Sequence, residues 1–330
     1  MNSQTSFSVI IPVYNRCEFL TKVLSSVLQQ SYQDFEIIVV DDYSSKNICN
    51  ALKGAVDKRI SYIKSDRTKG PAGARNAGLA KAKAKYIAFL DSDDEFLPNH
   101  LKDSVVVFEK EPDVHIIFGK AVYLTEFGKE VEYMYPNLIK KINRITNVLD
   151  KGEYLVFNDF LFKFMLKEGC FFNLSSVVMR REIIDRGFFM DESLEQGEDM
   201  EYWQRLSRFF KFAYLKKNQI KYLMHADNIS IPRDEESADR LLNQRLKMYG
   251  VMLHYDYIDR QDRAVINRNI AKVLFDHGYM KKNRGKLQEA KTYYLRSLKF
   301  HLNIKVFKAL FAVIFLQLCQ LLKNKRKGIS

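Results

Sequence analysis

Cysteine is scarce in this chain. The four present, Cys17, Cys49, Cys170 and Cys319, lack both the paired spacing of a zinc site and the density of a disulfide framework, so they read as reduced thiols. No P-loop and no dinucleotide-type glycine motif follows the first apolar stretch, which disfavours kinase and dehydrogenase chemistry. No apolar leader is visible either: Met1–Ser6 is polar and Phe7–Val13 is a short strand interrupted by Pro12, which predicts a cytoplasmic protein. Acidic residues are nearly missing from one region. From Met280 to Ser330 thirteen Lys or Arg face Glu289 alone, leaving +12 there and about +1 in everything before it out of a net +13. The high isoelectric point therefore describes a local patch, and nucleic acid is not an expected partner of the main domain.

What is present alternates strand and helix through the first half of the 330 residues. Phe7–Val13 and Phe35–Val40 read as buried strands on either side of a helical stripe, Cys17–Gln30, forming a βαβ unit with parallel strands. A helix over Lys46–Ala55, a strand Ile60–Lys64, a loop Gly70–Gly73, a helix Ala74–Lys83 and a strand running to Asp91 follow, then a helix His100–Glu109 and a strand Val114–Ala121. The fold class predicted is α/β, doubly wound around a mostly parallel, Rossmann-like sheet. Val122–Lys167 has unclear periodicity and is expected to hold a hairpin and one or two helices. Asn173–Met179 reads as a strand, and Arg181–Arg186 and Asp199–Phe209 as helices. Beyond His225 come helical patterns at Glu236–Leu253, Asp262–Met280, Leu287–His301 and Lys305–Leu322, so residues 1–230 are assigned to the α/β domain and 231–330 to a helical appendage. Gly285 and Ala290 with their aromatic neighbours hint at one tetratricopeptide-like helix pair.

The chemistry concentrates at strand ends. Asp91, Asp93 and Asp94 are three carboxylates within four residues at the carboxyl end of Tyr86–Leu90, where ligands of α/β sheets sit. Their mutual repulsion calls for a cation, and an all-oxygen ligand set suits Mg²⁺ or Mn²⁺; an acidic loop capping the next helix is the alternative. Asp41 and Asp42 end the second strand, where a carboxylate can accept from a base N–H or a ribose hydroxyl, or close an Asx turn. Arg75 opens a helix behind a Gly-Pro loop and suits a nucleotide, a neighbouring carboxylate or a structural cap. Glu198 and Asp199 open a helix behind Gly197, as catalytic acids or as caps.

Together, Phe7–Asn15, Ile37–Ser45, Gly73–Gly78, Leu90–Asp94 and Gly197–Asp199 resemble the family 2 glycosyltransferases of GT-A fold, over roughly residues 6 to 230. The resemblance implies a nucleotide-diphosphate-sugar donor bound in the half 1–120 and an acceptor bound in the half 121–230. It places Pro12, Tyr14, Asn15 and Asp42 against the base, Asp91 near the ribose, and Arg75 on the donor side. It implies Asp93 as the direct ligand of Mn²⁺ or Mg²⁺, His225 as a late metal or diphosphate contact, and Asp199 as the base that deprotonates the acceptor hydroxyl. Asn173, Ser175 and Glu198 are expected on the acceptor side. The Gln-x-x-Arg-Trp motif of processive members does not occur, since the sole tryptophan stands in Tyr202-Trp203-Gln204-Arg205, so single-sugar addition to a glycan or lipid-linked acceptor is expected.

The tail adds a surface. Ala309–Leu322 is apolar but interrupted by Gln317 and Gln320 and counts about 14 residues, short of the roughly 20 that span a bilayer. With Lys323–Lys327 behind it, the segment is expected to lie on an anionic membrane, or to pack as a core helix. Two further readings remain open: a catalytically silent nucleotide-sugar-binding scaffold, which would release UDP without acceptor product, and a nucleotidyltransferase, which would want a Gly-rich basic loop after the first strand.

Overall fold

The computed structural model describes residues 5–45, 57–131, 142, 144–145, 147–158, 161–225 and 234–327, with side chains as far as 322. The helix expected at 46–55 lies outside them. The chain divides into two units, Met1–Ile229 and Ser230–Ser330.

In the first unit, β1 (Phe7–Val13), β2 (Phe35–Asp41) and β3 (Ile60–Lys64) run parallel, and β4 (Tyr86–Phe89) joins the other edge of β1 in parallel. β1 is an almost unbroken apolar run because both faces of the sheet are covered and it has no wet side. The register pairs Phe7 with Phe35 and Val13 with Asp41, so the two strands end together and the Tyr14-Asn15 turn follows beside Asp42. Beyond β4, β10 (Val178–Arg180) is antiparallel to both β4 and β6 (Val114–Thr125). β11 (Lys211–Met224) is parallel to β6, and β9 (Tyr154–Phe157) and β8 (Val148–Asp150) close the path antiparallel. Two short strands, β5 (Glu95–Phe96) and β7 (Glu130–Val131), pair with β11 and β6, making eleven strands among the described residues.

Helices cover both faces. α1 (Cys17–Leu28) buries Leu20, Val23, Leu24 and Val27, and with Leu101, Val105 and Phe108 of α3 (His100–Lys110) it packs on Val9, Ile11 and Val39. On the other face α2 (Pro71–Lys81), α4 (Phe162–Glu168), α5 (Glu182–Asp185) and α6 (Glu198–Leu206) pack on Ile10, Ile38, Phe89 and Phe118, with the sole tryptophan, Trp203, fully buried. Removing that side chain would cost about 3–5 kcal/mol.

Two elements differ from expectation. Asn173–Met179 is not one strand: Leu174–Ser176 form a 3₁₀ turn before β10 starts. Asn173 and the serines offer the backbone local partners, Ser176 Oγ donating to the Asn173 carbonyl at 2.7 Å, and that competes with a ladder. α2 starts at Pro71 rather than Ala74, because a proline at the first helical position gives up no hydrogen bond and has its φ already set.

In the second unit α7 (Glu235–Met252) and α8 (Arg260–Asn283) each begin with a reciprocal cap, Asp234 with Ser237 and Asp259 with Asp262. α8 meets α9 (Leu287–Phe300) where Gly278 faces Tyr294; a Cβ there would sit 2.6 Å from the ring. The nearly buried Lys281 is held by Glu235 at 2.7 Å and Asp239 at 2.6 Å. α10 (Ile304–Lys327) buries Val306, Leu310 and Val313 against Leu287, Ala290 and Tyr294. The expected apolar length is corrected here. The helix starts five residues before Ala309, so Ile304–Leu322, 19 residues, is long and apolar enough to cross a membrane by length and composition.

Candidate active site

The carboxyl ends of β1, β2 and β4 form the floor of the site. Asn15 takes φ 54°, a left-handed conformation that asparagine tolerates, and its side-chain Oδ1 accepts from Ser45 N–H at 2.9 Å. Tyr14 projects outward, with Lys69 Nζ 4.5 Å from its ring centre, while Pro12 stays within β1 opposite Val40. The buried Asp42 accepts from Gly70 N–H with both oxygens, at 3.0 and 3.1 Å, and so anchors the start of α2. Burial raises its pKa, against the pull of that N–H and of Lys69. Asp41 faces the other way, accepting from Tyr62 Oη at 2.7 Å and Ser44 N–H at 2.9 Å.

The close approach of the loop before α2 explains Gly73, where a Cβ would lie 1.8 Å from the Thr68 carbonyl oxygen. That packing aims Arg75 across the site. Its Nη2 donates to Asp91 Oδ1 and its Nη1 to Glu198 Oε1, both at 2.7 Å, with Arg75 and Glu198 buried. Burial opposes the charge on Arg75, but Asp91 and Glu198 outweigh it and raise its pKa. The next residue, Asn76, exchanges hydrogen bonds with the Met190 backbone, at 2.9 Å to its carbonyl and 3.0 Å from its N–H, fastening the segment before α6 to α2.

In the acidic loop Asp91 N–H donates to Ser175 Oγ at 3.1 Å, and that hydroxyl donates to Asp94 Oδ2 at 2.6 Å. Asp94 Oδ1 is buried and makes no hydrogen bond among the described residues. Burial, then the charges of Asp93 and Asp91, hold the Asp94 pKa well above the ordinary carboxylate range. Asp93 is paired with Arg16 Nη1, and its Oδ2 lies 3.0 Å from His225 Nε2. Gly197, at φ 80°, turns the chain into α6, so that Glu198 is buried and Asp199 stays half-buried. Burial and the Asp199 charge push Glu198 up to about 7 against the pull of Arg75; burial also raises Asp199.

The fold thus ties Arg75 to Asp91 and Glu198, with Asp199 next along the helix, ties Asp93 to His225, and places Tyr14, Asn15 and Asp42 at the neighbouring strand ends. Ser175 is fully buried beneath the loop, and Asn173 Oδ1 accepts from Tyr123 Oη at 2.9 Å. Two cations escaped the sequence reading, Arg16 and Lys69. Arg16 is the residue directly after Asn15, and a cation so close to the end of the first strand is the signal that could have marked it.

Among the described residues no three His, Cys, Asp or Glu side chains converge to cage an ion. What converges is a pair, Asp93 and His225, with a guanidinium already on Asp93. Such a pair fits a divalent ion that takes its other ligands from diphosphate oxygens and water.

Comparison with known proteins identifies the family and the fold. The model of the family described as glycosyl transferase family 2 matches residues 8–188, more than half of the chain, and the chain belongs to that family. It is 35% identical over 176 residues to the UDP-Glc:alpha-D-GlcNAc-diphosphoundecaprenol beta-1,3-glucosyltransferase WfgD of Escherichia coli, covering 51% of this chain and 68% of that protein. Residues 1–349 of S. aureus TarS in complex with UDP-GlcNAc superpose with a TM-score of 0.59 at 17% identity, covering 92% of this chain and 83% of that one. The mannosyltransferase PcManGT from Pyrobaculum calidifontis, in complex with GDP-Man and Mn²⁺, gives 0.57 at 12% identity, covering 96% and 81%. At these identities the structural likeness establishes the fold, a GT-A-type sheet with a C-terminal helical region. Several matched relatives are far longer, and the chain spans 31% or less of their length.

Proposed function

We propose that this chain is an inverting, non-processive glycosyltransferase that moves one sugar from a UDP-sugar to a hydroxyl of a surface glycan or lipid-linked acceptor at the inner face of the cell membrane. The Arg75 bridge carries the reading: one buried guanidinium ties the donor-side acid Asp91 to the acid pair Glu198–Asp199, so the two sides of the site share a fixed spacing.

In this mechanism the base and ribose rest on the ends of β1 and β2, with Tyr14, Asn15, Asp42 and Asp91 as their contacts. A Mn²⁺ or Mg²⁺ held by Asp93 and His225 would neutralise the diphosphate as charge builds on it. Asp199, half-buried and raised in basicity by burial, takes the proton of the acceptor hydroxyl. The oxygen attacks the anomeric carbon from the face opposite the diphosphate, the bond to the phosphate oxygen breaks, and UDP leaves with that electron pair. Glu198, locked to Arg75, positions the helix that carries Asp199. WfgD, by its name, acts on a diphosphoundecaprenol-linked sugar, and TarS has been captured with UDP-GlcNAc, which support the acceptor class and the nucleotide.

The test is thermal unfolding with UDP, GDP and dTDP, each with Mn²⁺ and with chelator, followed by transfer assays from the stabilising sugar nucleotide. UDP should raise the melting temperature in a metal-dependent way, and product should form on a lipid-linked acceptor. Stabilisation by UDP with no acceptor product, across lipid-linked and soluble glycans, would favour a silent scaffold instead.

A further inference from the structure

The strongest feature that the site leaves unused is the outer face of α10. Its inner face is spent on α9, yet Ile304, Phe307, Phe311, Phe315, Leu318 and Leu322 recur three or four residues apart on the opposite side, and all are exposed, Phe311 at 74% and Phe315 at 66%. Such a continuous apolar stripe is an interaction surface. Its setting narrows the occupant. Residues 304–327 contain six Lys or Arg and no acid, with Lys305 and Lys308 exposed and Lys323, Lys325, Arg326 and Lys327 following in sequence.

We infer that α10 docks this protein in the plane of an anionic phospholipid surface, its phenylalanine and leucine stripe in the headgroup–acyl boundary and its basic residues on the lipid phosphates. A second copy of α10 fits poorly, because packing two such stripes together brings cation against cation with no acid to pair them. A crossing helix fits poorly too. It would strip Val306, Leu310 and Val313 from their partners on α9 and draw Gln317, whose Nε2 donates to Gln288 Oε1 at 2.9 Å, into hydrocarbon. An interfacial helix keeps both sets of contacts and uses only the face that is free. The inference does not depend on which sugar is transferred.

The experiment is vesicle flotation of the full chain with phosphatidylcholine alone and with added phosphatidylglycerol, at low and high salt. The wild type should bind the anionic vesicles about tenfold or more tightly and leave them as salt screens the basic residues, over about 10 Å at 0.1 M. Phe311→Glu with Phe315→Glu, and separately Lys305→Glu with Lys308→Glu, should each weaken that binding about tenfold or more with an unchanged melting temperature, since those side chains touch no core. Three results would overturn the inference. The first is equal binding to both vesicle types that resists salt and alkaline carbonate, the behaviour of a crossing helix. The second is no vesicle binding together with a dimer that the phenylalanine pair dissociates. The third is anionic binding that both variants retain at wild-type strength.

Discussion

Arg75 Nη1 and Glu198 Oε1 lie 2.7 Å apart with both side chains buried, although 123 residues separate them in sequence. Replacing Arg75 with Met leaves Glu198 buried without its counter-charge. The variant should lose about 3–5 kcal/mol of stability at pH 8 in urea unfolding. Without the guanidinium the folded pKa of Glu198 rises further above its unfolded value, so the loss should shrink at pH 5.5, where the carboxyl is protonated in the fold. An equal, small loss at both pH values would show that the bridge contributes little.

The same burial sets the pH dependence of catalysis. Glu198 is pushed up to about 7, and Asp199 is raised above the ordinary aspartate range. A base must be unprotonated to act, so kcat/KM should fall on the acid side at a higher pH than an ordinary aspartate would give. Measured between pH 5 and 9 with a fixed donor, a rate that stays flat down to pH 5 would contradict the assignment of this acid pair.

Much of this arrangement is legible in the sequence. The apolar runs of β1, β2 and β4 place their following acids at one sheet edge, because period and length alone identify buried parallel strands. Gly197-Glu198-Asp199 likewise reads as a helix start. The partners did not emerge, because a hydrogen bond between Arg75 and Glu198, or Ser175 beneath Asp94, depends on the packing of distant segments that leave no local pattern. The 3₁₀ turn at Leu174–Ser176 was hidden for the opposite reason. Its apolar spacing mimics a strand, while Asn173 and Ser176 settle their backbone locally.

His100 gives a stability test away from the acids. It is buried with Nδ1 3.0 Å from Gln219 Oε1 and no partner for Nε2 among the described residues, and burial lowers its pKa to about 4. The folded value lies below the unfolded 6.5, so its contribution is complete above pH 6.5 and is lost as pH falls toward 4. Between pH 7.5 and 5 the wild type should lose about 2 kcal/mol more than His100→Gln, which cannot titrate. Parallel pH profiles in urea unfolding would place that imidazole in contact with water.

The claim at the centre of this account is that Asp199 takes the acceptor proton while Asp93 serves the donor's metal. The most direct measurement pairs turnover with donor-binding calorimetry for Asp199→Asn and Asp93→Asn. Asp199→Asn should bind UDP with Mn²⁺ within a few-fold of wild type yet turn over about 10²–10⁴ more slowly, whereas Asp93→Asn should lose the metal dependence of UDP binding. Near-wild-type turnover by Asp199→Asn, or unchanged metal-dependent affinity in Asp93→Asn, would contradict it.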